Sequence, residues 1–173
     1  GIEISSSFAI EIWTAPYKSI SPNLIANPQF KNGLNNWIHY DMLVTQSEKP
    51  PYDQDFPYTV ARLTQVARFE SEDGELSWKQ TGSRGDYPYR FTFYGKSKII
   101  GNKLKCEITQ NNGITTITSS ILNINTNWQK NIIDFTSKNQ SDINVSLTIK
   151  KGGPQDIIVD NFTLKEYAPI RTL

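Results

Sequence analysis

The stretch YRFTFYGK, residues 89–96, holds the pattern on which the fold turns. Tyr89, Phe91 and Phe93 share one face of an extended chain, and Arg90, Thr92 and Tyr94 share the other. That period of two belongs to a strand packed on one side and not to a helix. The same alternation recurs downstream. KLKCEITQ aligns Leu104, Cys106 and Ile108, and INVSLTIK aligns Val145, Leu147 and Ile149. WQKNIIDFT puts Ile133 and Phe135 opposite Trp128, Lys130 and Ile132. Turn formers separate the runs: Arg84-Gly85-Asp86, Asn111-Asn112-Gly113 and Gly152-Gly153-Pro154. Short alternating strands with no helical period between them predict an all-β, antiparallel β-sandwich. Phe91, Phe93, Leu104, Cys106, Ile108, Phe135, Val145, Leu147, Phe162 and Leu164 are its expected core.

The chain of 173 residues is long enough for one hydrophobic core, and 37% hydrophobic with 20% charged residues is a globular composition. With 18 basic and 17 acidic residues the net charge is +1, and no basic block stands out. Nothing in that balance argues for nucleic acid or an anionic membrane as partner. No run approaches the roughly 20 apolar residues of a membrane-spanning helix, and no signal-peptide pattern is visible. One cysteine and one histidine exclude an internal disulfide and a zinc site of the usual Cys/His kind. Cys106, alternating with Lys105 and Glu107, reads as a small buried apolar residue.

Two segments depart from the strand pattern. FAIEIW (8–13) is compatible with a strand, but TAPYKSISP (14–22) carries two prolines, so residues 1–22 read as an arm or linker, a possible route to a homo-oligomer. EKPPYDQDFPY (48–58) packs three prolines beside two tyrosines and a phenylalanine and reads as a long ordered loop. Residues 23–167 are then the sandwich and 168–173 a tail.

NLIANPQFKNGLNNW (23–37) puts turn dipeptides at Asn27-Pro28 and Asn32-Gly33 between Leu24-Ile25 and Trp37. It resembles the start of carbohydrate-binding modules of families four, nine, sixteen and twenty-two. ELSWKQTG, YPYRFTFYGKSK, NTNWQKNIIDFT and DIIVDNFTLKE follow in that family's order and resemble its later strands. The resemblance implies a jelly roll of galactose-binding-domain-like shape without a catalytic role. It also implies a sugar site at Trp37, Trp128 and Gln80, since a sugar ring needs an aromatic platform for its C–H face and amides for its hydroxyl fringe. Trp78 beside Gln80, and Tyr94 on the non-core face of its strand with Arg90 and Lys96, are further candidates. So are Tyr40 and the loop residues Tyr52, Asp53, Gln54 and Tyr58.

Relatives commonly hold a structural calcium between an acid after the phenylalanine and a late aspartate. The late position is Asp160 here, but Lys31 replaces the first acid. An ammonium among the oxygen ligands that calcium requires predicts little or no metal binding, with no other cofactor expected. The leading expectation is an extracellular module that binds a neutral poly- or oligosaccharide or a cell-surface glycan, alone or appended to a glycoside hydrolase. The alternative is a structural or adhesion domain of a virion. Catalysis would need a pair of carboxylates across a cleft, and no spacing among Asp41, Asp53, Asp55, Glu70, Glu72, Asp73 and Glu75 selects one.

Overall fold

The computed structural model describes residues 17–57 and 61–169; Phe8–Trp13 and Tyr58 lie outside the described residues. Those residues form eleven strands and no helix. The strands are β1 (Tyr17–Ser19), β2 (Ile38–Tyr40), β3 (Met42–Glu48), β4 (Leu63–Phe69), β5 (Glu75–Gln80), β6 (Pro88–Ser97), β7 (Lys103–Gln110), β8 (Thr115–Asn123), β9 (Gln129–Thr136), β10 (Ile143–Lys151) and β11 (Ile157–Pro169). One sheet runs β3-β4-β11-β6-β9, with β1 also paired to β11; the other runs β2-β5-β10-β7-β8. Every pairing is antiparallel.

The inward rows are those the alternation predicts. Leu164, Phe91 and Ile133 line up across β11, β6 and β9. Leu76, Leu147 and Cys106, then Trp78, Val145 and Ile108, line up across the facing sheet. All ten expected core residues are buried. Cys106 is fully enclosed, and that desolvation pushes its thiol up to about 12, out of reach of ordinary thiolate chemistry.

The sandwich extends past both expected boundaries. Tyr17–Ser19 pairs with Tyr167–Pro169. Beyond β1, Ile20 N–H donates to Glu166 O at 3.0 Å and Leu24 N–H to Leu164 O at 2.8 Å. The latter half of the proline-bearing segment thus hugs the edge of β11.

The β3–β4 hairpin leaves the sheet plane. β4 shares only the pairs Ile158↔Arg68 and Val159↔Ala67 with β11. β3 and β9 occupy opposite edges of the sheet, yet Trp128 Nε1 donates to the carbonyl of Glu48 at 3.2 Å. The hairpin end and its 48–57 loop therefore curl back over the outer face of that sheet. This fold-back creates the concavities described next.

Candidate functional site

Of the expected aromatic platform, Trp128 is half-buried, whereas Trp37 is withdrawn from the surface together with the further candidate Trp78. Trp37 and Trp78 are each 7% exposed and pack edge-on, 5.3 Å between ring centroids. Phe30 lies 5.3 Å from Trp37, and Phe162 lies 4.8 Å from it. Trp37 Nε1 donates to the carbonyl of Asn27 at 3.0 Å. As placed, neither tryptophan has a free ring face for a sugar, which corrects the expectation for both: they close one end of the hydrophobic core. The turn before them makes this possible. Asn27, Phe30, Gly33 and Asn36 all adopt left-handed backbone (φ 54°, 56°, 62° and 73°). Only glycine and, to a lesser degree, asparagine enter that region easily. Phe30 is the strained exception, and its fully buried ring compensates.

Gln80 ends β5, half-buried, in one row with Ile143 and Gln110. The satisfied buried amide at this end of the sandwich is Gln110. Its Nε2 donates to Ser83 Oγ at 3.1 Å and Asn139 O at 3.0 Å, and its Oε1 accepts from Lys138 N–H at 2.7 Å. Tyr40 stands on the edge strand β2, 60% exposed, far along the facing sheet from Trp128.

Tyr94 does lie off the core face, as its parity requires, but the 48–57 loop covers it. Its hydroxyl donates to Asp53 Oδ2 at 2.7 Å, and Lys130 Nζ reaches the same oxygen at 2.8 Å. Burial and the adjacent Asp53 carboxylate raise the Tyr94 hydroxyl well above the usual phenol range. For Asp53, burial acts upward, but the bonds from Lys130, Asp55 N–H and Tyr94 prevail and hold its carboxyl below the ordinary value. Lys165 pairs with Asp55 farther along the loop. These charges latch the loop and are neutralised in doing so. Tyr94 is therefore a buried strut, not a binding surface, in this arrangement.

The latched loop walls a cavity of about 340 Å³ between itself, the 28–31 turn, β4 and the bulge in β11. Tyr52, 67% exposed, stands at its mouth with Phe56. Gln29, Gln65 and Asn161 supply amides, and Lys31 and Lys49 ammonium groups. Gln29 Nε2 donates to Asn161 Oδ1 at 3.1 Å, fixing two of these side chains together. Asp160 forms the back wall; it is fully buried, and among the described residues neither carboxylate oxygen has a well-aligned hydrogen-bond partner, the Asn161 N–H being only a nearby donor. Burial pushes its carboxyl up to about 8, against the opposing pull of Asn161 N–H and the Lys31 charge. Calcium takes six to eight oxygens, several of them carboxylates. Here Asp160 stands alone with an ammonium acting on it, and no three His, Cys, Asp or Glu side chains converge among the described residues. This donor set does not fit a calcium ion.

A second concavity, about 360 Å³, lies under the middle of β3, with Arg68, Ile158 and Lys96 in one row across β4, β11 and β6. Sequence reading did not find Gln29, Gln65, Asn161 or Arg68. Their convergence depends on the hairpin fold-back, for which no local signal exists.

No protein-family model matches this chain, and no curated protein matches it in sequence. Solved structures do match its fold. A family 61 carbohydrate-binding module in complex with β-1,4-galactotriose is 18% identical with a TM-score of 0.62, covering 83% of this chain and 98% of that one. The family 22 xylan-binding domain from Paenibacillus barcinonensis Xyn10C is 13% identical with a TM-score of 0.56, covering 86% and 97%. The enzymatically active domain of tailspike protein 4 from bacteriophage CBA120 is 12% identical with a TM-score of 0.61, covering 87% of this chain but 22% of that one. The fold is the β-sandwich that these carbohydrate-binding modules share.

Proposed function

We propose that this domain is a non-catalytic carbohydrate-binding module, working outside the cell, that recognises a neutral oligosaccharide in the cavity beneath the 48–57 loop. The observation that carries this reading is the exposed Tyr52 at the mouth of a 340 Å³ cavity walled by Gln29, Gln65 and Asn161. A tyrosine ring offers the C–H face of a pyranose a stacking surface, and amides meet hydroxyls as both donors and acceptors. Trp128, half-buried beside the hairpin, is an accessory aromatic contact in this reading, and Tyr40, on the other sheet, takes no part in it. Catalysis has no support here: Asp53, Asp55 and Glu70 are committed to Lys130, Lys165 and Arg68.

One stacked ring and a few hydrogen bonds open to water give a Kd between roughly 1 mM and 1 μM, about −4 to −8 kcal/mol. Titration calorimetry against a panel of neutral oligosaccharides tests this. Tyr52→Ala should abolish binding without altering the melting temperature, since the ring holds no core together. Unaltered affinity in that variant would move the site away from the loop.

A second reading, adhesion or structure within a virion, is supported by the likeness to a phage tailspike domain. A defined oligomer in solution, built through residues 1–22, favours it; a monomer favours an appended module.

A further inference from the structure

The concavity under β3 differs chemically from the one beneath the loop. Its floor is Ile158, flanked in the same row by Arg68 and Lys96, with Lys98 just past the end of β6. Asp156 is the one acid in its lining among the described residues. Arg68 donates from Nη2 to Glu70 at 3.1 Å, but its Nε is buried without a partner among the described residues. Neither Lys96, half-buried, nor the exposed Lys98 forms an ion pair among the described residues. A guanidinium N–H withdrawn from water and left unpaired is costly, and a carboxylate or sulfate oxygen would complete it with a charge-assisted bond. The remaining walls, Thr45, Gln46, Ser47 and Gln155, carry hydroxyls and amides. An apolar floor, a hydroxyl-matching fringe and converging cations together describe a ring that bears an anionic group. The volume of about 360 Å³ falls in the range of small-ligand sites, roughly 300–1,000 Å³.

We propose that this groove is a second glycan subsite, selective for the anionic group, carboxylate or sulfate ester, of an acidic sugar. It rests on the reading of the domain as a glycan binder but uses residues that the neutral site does not. Arg68 and Lys96 grip the anion from either side of Ile158, and Lys98 adds to the local positive potential.

The test compares trigalacturonate with its neutral methyl ester by calorimetry at low and high salt, with inorganic sulfate titrated in parallel while the Arg68 Nε–H resonance is followed. The acid should bind roughly tenfold or more tighter than the ester at low salt, and the preference should shrink as salt rises. Lys96→Gln should erase the preference while the melting temperature stays at the parent value. Equal affinity for acid and ester, or a preference that survives Lys96→Gln, overturns the proposal. If sulfate shifts the Arg68 resonance but no saccharide of either charge binds, the anion site stands and the glycan reading of the domain falls.

Discussion

At the scale of single residues, Asn27 shows how much a turn can decide. Its Nδ2 donates to Gly33 O and Asn35 O, both at 2.9 Å, its Oδ1 accepts from Asn32 N–H at 3.1 Å, and its own carbonyl receives Trp37 Nε1. It does so from left-handed backbone, where an alanine is strained. Three side-chain bonds at a net value near 1 kcal/mol each, some open to water, predict that Asn27→Ala costs about 2 kcal/mol in denaturant unfolding. The loss should quench or shift the Trp37 fluorescence, because the same turn aims that ring inward. Strand parity explains which residues were legible. Phe91, Cys106 and Val145 sit in alternating runs, and their sequence neighbours alone place them inside. Trp37 belongs to a turn and has no parity to read. Trp78 alternates with Leu76, so its own strand assigns it to the core, against the surface role that its neighbour Gln80 suggested.

At the scale of elements, the informative unit is the β3–β4 hairpin. The proline-rich 48–58 stretch is recognisable as an ordered loop, but its destination is not. Asp53 meets Tyr94 and Lys130 across sequence separations of 41 and 77 residues. No periodicity encodes such a meeting, so the cover over Tyr94 and both concavities stayed invisible. The latch also carries a pH dependence. The Asp53 carboxyl is held below its ordinary value of 3.8 in the folded chain. Its contribution is therefore complete above pH 3.8 and is lost as acid drives the pH down through the lower folded value. Asp53→Asn removes one charge-assisted pair that is partly open to solvent, a cost of about 1–2 kcal/mol. Amide exchange should report it locally: the Phe56 N–H, bonded to Asp53 O at 2.9 Å, should lose protection in the variant while strands β7 and β10 keep theirs. Uniform loss across both sheets would mean that the loop is integral to the sandwich and not latched onto it.

At the scale of the whole molecule, Asp160 sets a stability profile opposite in sign to that of Asp53. A fully enclosed carboxyl raised to about 8 keeps its proton in the folded chain while the unfolded chain releases it near 3.8. The folded state thus binds more protons than the unfolded state across that interval. Stability is complete below pH 3.8, declines as the pH climbs toward 8, and levels off above it. Combined with the Asp53 latch, this places the joint maximum of the two contributions near the shared unfolded value of 3.8. Asp160→Asn keeps the shape and removes the ionisation. Its melting temperature should match that of the parent only below about pH 4 and exceed it increasingly from there to pH 8, with the full difference at pH 9. The same series bears on calcium. Because one carboxylate facing an ammonium is a poor cage, chelation should move the parent's melting temperature by no more than about a degree or two at any pH. Added calcium should not close the gap between parent and variant at pH 9. If calcium instead lifts the parent at pH 9 and leaves Asp160→Asn unchanged, the ionised Asp160 holds a metal with backbone carbonyls as its other ligands, and Lys31 swings clear of it.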